Sequence, residues 1–290
     1  MIPATVLVCT RNEEKNIAAC LSSLNRFDQI IVIDSNSTDA TCEIARSYNA
    51  EIVNFTWNGQ YPKKRQWCLD HLSCRYDWVF FVDADEIVTE KLADEIALIL
   101  AGSPACAGYF IKGLYVRQGK VLRHGVPNNK IVLFDRTRFY YPVVNDLDFS
   151  GMGEMEGHYQ PVAGAGQKIG QLKEAMLHYA YDSGENWELR HQRYSAWERA
   201  MNDHRAWPAD PLAMRQFLKS LFRSIPCRDV VAFIHAYFFK AGFLDGFAGY
   251  QRACDRARYY RAIKNDPRVN THKALVRDGA GDTPMSGASE

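Results

Sequence analysis

The chain has 290 residues, of which 47% are hydrophobic and 24% charged, and its formal net charge is +1. This composition is ordinary for a folded globular protein and excludes intrinsically disordered, collagen-like and wholly membrane-embedded classes. The nearly neutral charge gives no indication of broad nucleic-acid binding, so no nucleic-acid partner is expected. Eight scattered cysteines without a CxxC pair favour a reducing compartment, and the short apolar start, MIPATVLVCT, indicates the first strand of a cytoplasmic protein rather than a signal peptide.

Strand-like and helix-like segments alternate along the first hundred residues. Apolar runs predict strands over 4–10, 29–35, 50–56 and 77–85, and helical periodicity predicts helices over 12–24, 37–48, 61–72 and 89–100. The alternation predicts an α/β fold with a Rossmann-like, mostly parallel sheet and helices on both faces. Ligands of such sheets bind beyond the carboxyl ends of the strands, so the residues that follow those ends should line one rim.

The pattern changes after residue 108. Residues 108–125 and 130–141 predict two hairpins, a glycine-rich stretch follows, and residues 185–204 predict a helix. We expect one domain over 1–205, a C-terminal amphipathic helical extension over 206–264 and a disordered tail over 265–290. The apolar runs of the extension are too interrupted for a spanning helix, which needs about 20 apolar residues. The extension could lie on a membrane surface or pack on the domain, and both interpretations can hold together.

The stretch WVFFVDADEIV, residues 78–88, ends an apolar strand with a cluster of acids. Asp83 and Asp85 are separated by one residue and can turn toward the same space when the chain leaves the extended conformation. Their hard oxygen atoms suit Mg²⁺ or Mn²⁺, especially where the phosphates of a substrate complete the coordination. The alternative is a solvated turn. No role is assigned to Glu86.

Two further polar features follow predicted strands or precede a helix. Asp34 ends the second strand, where it could accept hydrogen bonds from a nucleobase or ribose or could simply cap a turn. The basic run PKKRQ, residues 62–66, contains Lys64 and is either a solvated face or a partner for a pyrophosphate.

Three stretches, CTRNEEKNIAACLSSL, IIVIDSNSTDATCEIA and WVFFVDADEIVTEKLADEI, follow one another in an order and spacing that resembles the family 2 glycosyltransferases with the GT-A fold. The bacterial group that builds lipopolysaccharide cores and related surface glycans is the most similar. The resemblance is strong over residues 4–100 and continues to about residue 264, where FFKAGFLDGFAGYQRACDRARYY resembles the C-terminal segment of that group.

The resemblance implies a metal-dependent hexosyltransferase that uses Mg²⁺ or Mn²⁺. Its donor would be a nucleotide sugar, with UDP as the expected nucleotide, and its acceptor a saccharide or a lipid-linked saccharide. It would work in the cytoplasm, with the inner face of the cytoplasmic membrane as a candidate peripheral surface. The implied roles are these: nucleotide contacts from Thr10, Asn12, Glu13, Asp34, Lys64 and Asp83, and a metal contact from Asp85.

Members of this family usually invert the anomeric carbon, which requires a base that deprotonates the acceptor hydroxyl as it attacks. We expect Glu156 to be this base, with Glu154 second and Asp146 third. His158 is expected to bind the metal. His178 is a further candidate for the metal or the diphosphate.

Two other functions are compatible with parts of this pattern. A phosphohydrolase of the haloacid dehalogenase type also places two such aspartates at a strand end and would use Asp83 as its nucleophile. That class has the motif near the start of its domain, whereas here three strand–helix units precede it. A catalytically silent scaffold on a membrane surface is the second alternative, and the intact pair of Asp83 and Asp85 argues against it.

Overall fold

The computed structural model describes residues 1–145, 154, 156, 159–181, 187–207 and 213–265. Three features of the sequence interpretation lie outside these residues: the positions of Asp146 and His158, and the conformation of the tail beyond residue 265. Within the described residues, the chain folds into a twisted sheet with helices packed against it and a helical C-terminal part.

The first hundred residues alternate between strands and helices. The elements are β1 (Ile2–Thr10), α1 (Ile17–Ser22), β2 (Phe27–Asp34), α2 (Thr41–Ser47), β3 (Glu51–Asn54), α3 (Lys64–His71), β4 (Trp78–Asp83), β5 (Glu86–Ile87) and α4 (Glu90–Leu100).

Strands dominate the next part of the chain and helices the last. The strands are β6 (Gly108–Arg117), β7 (Lys120–Val121), β8 (Asn128–Asp135), β9 (Phe139–Tyr140), β10 (Val162–Ala163) and β11 (Ile169–His178). The helices are α5 (Trp187–Asp203), α6 (Ala213–Ser224), α7 (Arg228–Ile234), a π-helix (His235–Phe239), a 3₁₀-helix (Gly242–Asp245) and α8 (Phe247–Asn265).

The main sheet has the strand order β3-β2-β1-β4-β8-β6-β11-β5, and β7 pairs with β6 beside this path. β3, β2, β1 and β4 run parallel to one another, and they correspond to the four strands that the apolar runs predict. The predicted α/β fold with a mostly parallel sheet is therefore confirmed. The central strands β1 and β4 are buried because helices cover them, and Val6, Leu7, Phe80 and Phe81 are almost fully removed from solvent.

One of the two predicted hairpins is present and the other is not. β6 and β7 pair antiparallel around Gln118 and Gly119, both of which adopt positive φ, as this tight turn requires. Residues 130–141 do not form a hairpin. β8 instead lies antiparallel between β4 and β6, whereas β9 leaves the main sheet and pairs with β10. The Phe139 ring packs 4.9 Å from the Phe134 ring, centroid to centroid, so burial of aromatic area holds β9 beneath the sheet rather than beside β8.

The C-terminal helices pack on the domain through α8. Asp255 of α8 accepts hydrogen bonds from Arg117 of β6 and from the hydroxyl of Tyr181, which ties the helix to the end of the sheet. Among the described helices, none combines the length and apolar character needed to cross a bilayer. The domain boundaries stay predictions.

Gly170 offers a direct test of the packing between β6 and β11. A Cβ atom at Gly170 would lie 2.7 Å from the Tyr109 ring, which is closer than Cβ atoms in real structures approach other non-bonded atoms. We expect Gly170→Ala to lower the free energy of unfolding by about 1–3 kcal/mol, the usual cost of overpacking. Chemical denaturation measures this. Gly102→Ala is the control, because its nearest neighbour would be 4.0 Å away, and equal stability of the two variants would contradict the packing.

Candidate active site

The ends of three neighbouring strands meet at one rim of the sheet. In the register of the sheet, Thr10 of β1 lies beside Asp34 of β2, and Cys9 lies beside Asp83 of β4. A cavity of about 990 Å³ opens at this rim. Of the predicted site residues that the structure describes, all except Asp34 line it. They are Thr10, Asn12, Glu13, Lys64, Asp83, Asp85, Glu154, Glu156 and His178.

Asp34 is buried and holds the loops after β1 and β2 together. Its carboxylate accepts hydrogen bonds from the backbone N–H of Ser37, at 2.8 Å, and from the Ser37 hydroxyl. The Ser37 Oγ atom in turn accepts the backbone N–H of Asn12, at 2.8 Å, and the Asn12 side chain accepts the N–H of Thr38. Asp34 therefore does not line the cavity itself, but it fixes the loop that carries the cavity residue Asn12.

Thr10 contributes an unused polar group to this wall. Its side chain is 3% exposed, and Oγ1 has no hydrogen-bond partner within the described part of the chain. A buried hydroxyl normally finds a partner, so Oγ1 is available to a ligand in the cavity.

Asp83 lies between two cations. Its Oδ1 accepts a hydrogen bond from the Arg65 guanidinium at 3.0 Å, and its Oδ2 accepts one from Lys130 Nζ at 2.7 Å. Burial alone would raise the pKa of Asp83, but Lys130 and Arg65 outweigh it and hold the pKa well below its usual value. Asp83 is therefore ionised. The same attraction raises the pKa of Lys130, against the effect of burial.

Glu86 completes this cluster and orients the turn that follows β4. Its side chain is fully buried, and Oε2 accepts the backbone N–H of Asp83 at 3.0 Å. Its Oε1 lies 2.8 Å from Lys130 Nζ in an orientation unsuited to a hydrogen bond, so this contact is an ion pair. Burial and the nearby Asp83 raise the pKa of Glu86, and Lys130 opposes them. Glu86 thus fixes both the turn after β4 and the lysine that faces Asp83.

Asp85 and His178 meet at the opposite side of the acidic turn. Asp85 Oδ2 lies 3.4 Å from His178 Nε2, and the His178 ring stacks on Tyr115 with centroids 5.0 Å apart. Burial opposes a charge on His178, but Asp85 and Glu86 prevail and raise its pKa to about 9. The Asp85 carboxylate is a donor that Mn²⁺ or Mg²⁺ sites use, and the His178 imidazole could join it as a ligand only after losing the proton that Asp85 favours. Within the described residues, no three such side chains converge, so the protein side chains described would leave coordination positions for phosphate or water.

Glu156 is buried and is engaged with a helix. Its two carboxylate oxygens accept the backbone N–H groups of Arg65, at 2.9 Å, and Gln66, at 2.8 Å, in the first turn of α3. This is the arrangement of a helix-capping carboxylate. Burial raises the pKa of Glu156, and Arg65 and the two N–H groups counteract this. Glu154 is different, because its side chain is 25% exposed and, among the described residues, is paired with Lys64 Nζ at 3.7 Å.

Sequence reasoning missed several residues of the cavity. Arg65 belongs to the basic run of residues 62–66 but was not distinguished from its neighbours. Lys130 is a single cation at the start of an apolar strand, which is the one signal that could have marked it. Arg252 and Arg256 reach the cavity from α8, and their spacing of four residues indicates only a shared helix face.

Several known glycosyltransferases are similar to this chain. An uncharacterised glycosyltransferase of Rickettsia typhi is 33% identical over 139 residues, which are 47% of each chain. One of Rickettsia felis is 28% identical over 263 residues, 85% of this chain and 82% of its own. The lipopolysaccharide core biosynthesis glycosyltransferase LpsC of Rhizobium meliloti is 30% identical over 113 residues, 37% of this chain and 41% of its own.

Among solved structures, the mannosyltransferase PcManGT of Pyrobaculum calidifontis, in complex with GDP-Man and Mn²⁺, is 14% identical. It aligns with a TM-score of 0.49 over 90% of this chain and 86% of its own. The family model described as glycosyl transferase family 2 matches residues 5–152, half of the chain, including the strand ends that carry Thr10, Asp34 and Asp83. The chain belongs to glycosyl transferase family 2.

Proposed function

We propose that this enzyme transfers a sugar, with inversion, from a UDP-linked donor to a saccharide or glycolipid acceptor during synthesis of a bacterial surface glycan. The observation that carries the proposal is the composition of the rim. Ionised Asp83, the cations Arg65 and Lys130, and the pair of Asp85 and His178 all face one cavity. Membership of a glycosyltransferase family favours this function over the phosphohydrolase and the silent scaffold.

The donor half of the cavity has the groups that a nucleoside diphosphate needs. Lys64, Arg65 and Lys130 supply positive charge where the diphosphate would lie. Asp83 can accept hydrogen bonds from the ribose hydroxyls. The Thr10 hydroxyl, which has no hydrogen-bond partner within the described residues, belongs to the same cavity wall. We assign Asn12 and Glu13 to the same wall, because their loop borders the cavity, and we assign Asp34 to the support of that loop.

A divalent ion, Mg²⁺ or Mn²⁺, fits beside Asp85 and His178. It would neutralise the charge that develops on the departing nucleoside diphosphate. Asp85 and His178 would hold the ion, and Tyr115, stacked on the imidazole, would fix the orientation of that ring. His158 stays a prediction, because it lies outside the described residues.

The base that activates the acceptor is most consistent with Glu154. A base must be able to gain a proton and must reach the acceptor hydroxyl. Both oxygens of Glu156 already accept backbone N–H groups, whereas Glu154 lines the cavity with a partly exposed carboxylate. Asp146 lies outside the described residues and stays a prediction.

Exposed apolar side chains of the C-terminal helices support an acceptor that is held at a membrane. Large side chains are exposed on α6 and around the π-helix and the 3₁₀-helix: Phe217, Leu218, Leu221, Phe238, Phe239, Phe243, Leu244 and Phe247. We call this set the C-terminal apolar surface. Exposed Lys219 and Lys240 lie among these residues in the chain, and the combination of aromatic and basic groups suits the surface of an anionic bilayer. The similarity to LpsC agrees with a lipopolysaccharide acceptor.

The first test concerns the metal. Mn²⁺ should tighten the binding of UDP, and Asp85→Asn should remove most of this gain, because the loss of a ligand weakens metal affinity by about 10- to 100-fold or more. Isothermal titration of UDP with and without Mn²⁺ measures the effect. Asp77→Asn is the control, since Asp77 is exposed just before the other end of β4. Equal UDP affinity of the parent enzyme with and without Mn²⁺ would contradict the proposed role of a metal in binding the nucleotide.

The second test separates the two glutamates. Glu154→Gln should lower the turnover of UDP-sugar donors by about 10²- to 10⁴-fold, the usual contribution of a general base, with UDP affinity retained. Glu156→Gln places an amide nitrogen against a backbone N–H of α3 and should lower the free energy of unfolding by about 1–2 kcal/mol. Kinetics and chemical denaturation of both variants give the answer. A stable Glu156→Gln variant without turnover would instead make Glu156 the base.

The third test concerns the membrane. Phe239 and Phe247 are 79% and 72% exposed, so Phe239→Ser and Phe247→Ser should leave the fold unchanged. Each should lower partition onto phosphatidylglycerol vesicles about tenfold, because one buried aromatic side chain contributes about 1.5–3 kcal/mol. Flotation with the vesicles measures this partition. Leu98→Ser, at an exposed apolar residue of α4, is the control. Failure of the parent enzyme to float would exclude membrane binding by the C-terminal apolar surface.

A further inference from the structure

Helix α8 contributes two arginines to the same cavity that holds the acidic turn. Arg252 and Arg256 lie four residues apart and therefore on one face of the helix. The neighbouring residues on this face, Asp255, Tyr259 and Tyr260, also line the cavity. The cavity thus has a donor half, formed by the strand ends, and a second half, formed by α8.

Aromatic rings hold both arginines in place. The Arg252 guanidinium lies 3.9 Å from the centroid of the Tyr115 ring, and the Arg256 guanidinium lies 5.9 Å from that of Tyr260. The Nε atom of each arginine is buried without a hydrogen-bond partner in the part of the chain that the structure describes. These contacts orient the guanidinium groups but leave donors unsatisfied.

The carboxylates around α8 are engaged elsewhere. Asp255 pairs with Arg117 and Arg258, and Glu198 pairs with Arg228 and accepts the hydroxyl of Tyr259. Within the described residues, no carboxylate lies at ion-pair distance from Arg252 or Arg256. A cation shielded from water is costly unless an anion accompanies it. Asp255 attracts the Arg252 charge but is already paired with Arg117 and Arg258, so within the described residues neither Arg252 nor Arg256 has a carboxylate of its own.

This charge adjoins the proposed metal site from the side of the cavity that α8 forms. The Tyr115 ring contacts both the Arg252 guanidinium and the His178 ring, and His178 meets Asp85. The donor half has its own cations, Arg65 and Lys130, beside Asp83. A diphosphate bound there would leave the two arginines of α8 unpaired.

We propose that the acceptor of this enzyme is an anionic saccharide, with a phosphate or carboxylate group bound by Arg252 and Arg256. The inference rests on the proposed function and specifies the acceptor class of the same site. Two guanidinium groups on one helix face can bind one such anion by charge-assisted hydrogen bonds, and Tyr115 fixes that anion relative to Asp85. The group thus positions the saccharide but takes no part in the transfer.

The test uses glucose 6-phosphate, glucuronate and glucose as probes, with the enzyme saturated by UDP and Mn²⁺. Titration calorimetry should show that at least one anionic probe binds more tightly than glucose, and the stronger of the two identifies phosphate or carboxylate. Arg252→Gln and Arg256→Gln should each weaken that probe about tenfold, as expected for loss of a charge-assisted hydrogen bond, with UDP affinity retained. Arg252→Lys should recover part of the affinity.

Arg261→Gln is the matched control, because Arg261 lies on α8 but pairs with Asp229 outside this cavity. Equal binding of all three probes, or anion binding that Arg252→Gln and Arg256→Gln leave unchanged, would overturn the inference. So would a loss of UDP binding in these two variants, which would assign the arginines to the donor. Failure of UDP to bind the parent enzyme would count against the proposed function instead.

Discussion

The contact of Lys130 with Asp83 and Glu86 is the interaction on which the rest of the site depends. Three acidic side chains follow the buried strand β4 within four residues, and without a cation their mutual repulsion would oppose the turn that they form. Lys130 enters from β8, the antiparallel neighbour of β4, and pairs with two of the three acids. The third, Asp85, is left to His178. The antiparallel insertion of β8 into a parallel sheet is therefore what makes the acidic rim stable.

Much of this architecture could be predicted because it depends on local patterns. The apolar runs before Thr10, Asp34 and Asp83 mark buried parallel strands, and the geometry of such sheets brings their ends together whatever the loops do. Lys64 was expected only as part of a basic run that could meet a pyrophosphate, and it lines the cavity because it begins the helix that follows β3. The resemblance of three separate motifs to a glycosyltransferase family then implied a sugar-transfer reaction at these strand ends.

The remaining features depend on long-range pairing that no local pattern records. Lys130 meets Asp83 across 47 residues, and Arg252 reaches Tyr115 only because α8 returns to the sheet. Residues 130–141 looked like a hairpin, since two short apolar strands flank a polar turn, but the burial of Phe139 against Phe134 overrode that pattern. Asp34 and Glu156 are acids of the expected kind in the expected region, and yet both are occupied by hydrogen bonds to backbone N–H groups.

The position of α8 would limit how far an acceptor can extend from a bilayer that the C-terminal apolar surface contacts. Phe247, exposed in the C-terminal apolar surface, and Arg252, in the cavity, are five residues apart on one helix, a rise of about 7.5 Å along its axis. If that surface rests on lipid, the separation along the helix axis sets an upper limit of little more than one sugar ring on the height of Arg252 above Phe247. The enzyme would then act on the first units of a growing glycan, and a long chain would have to bend back toward the membrane to present its terminus.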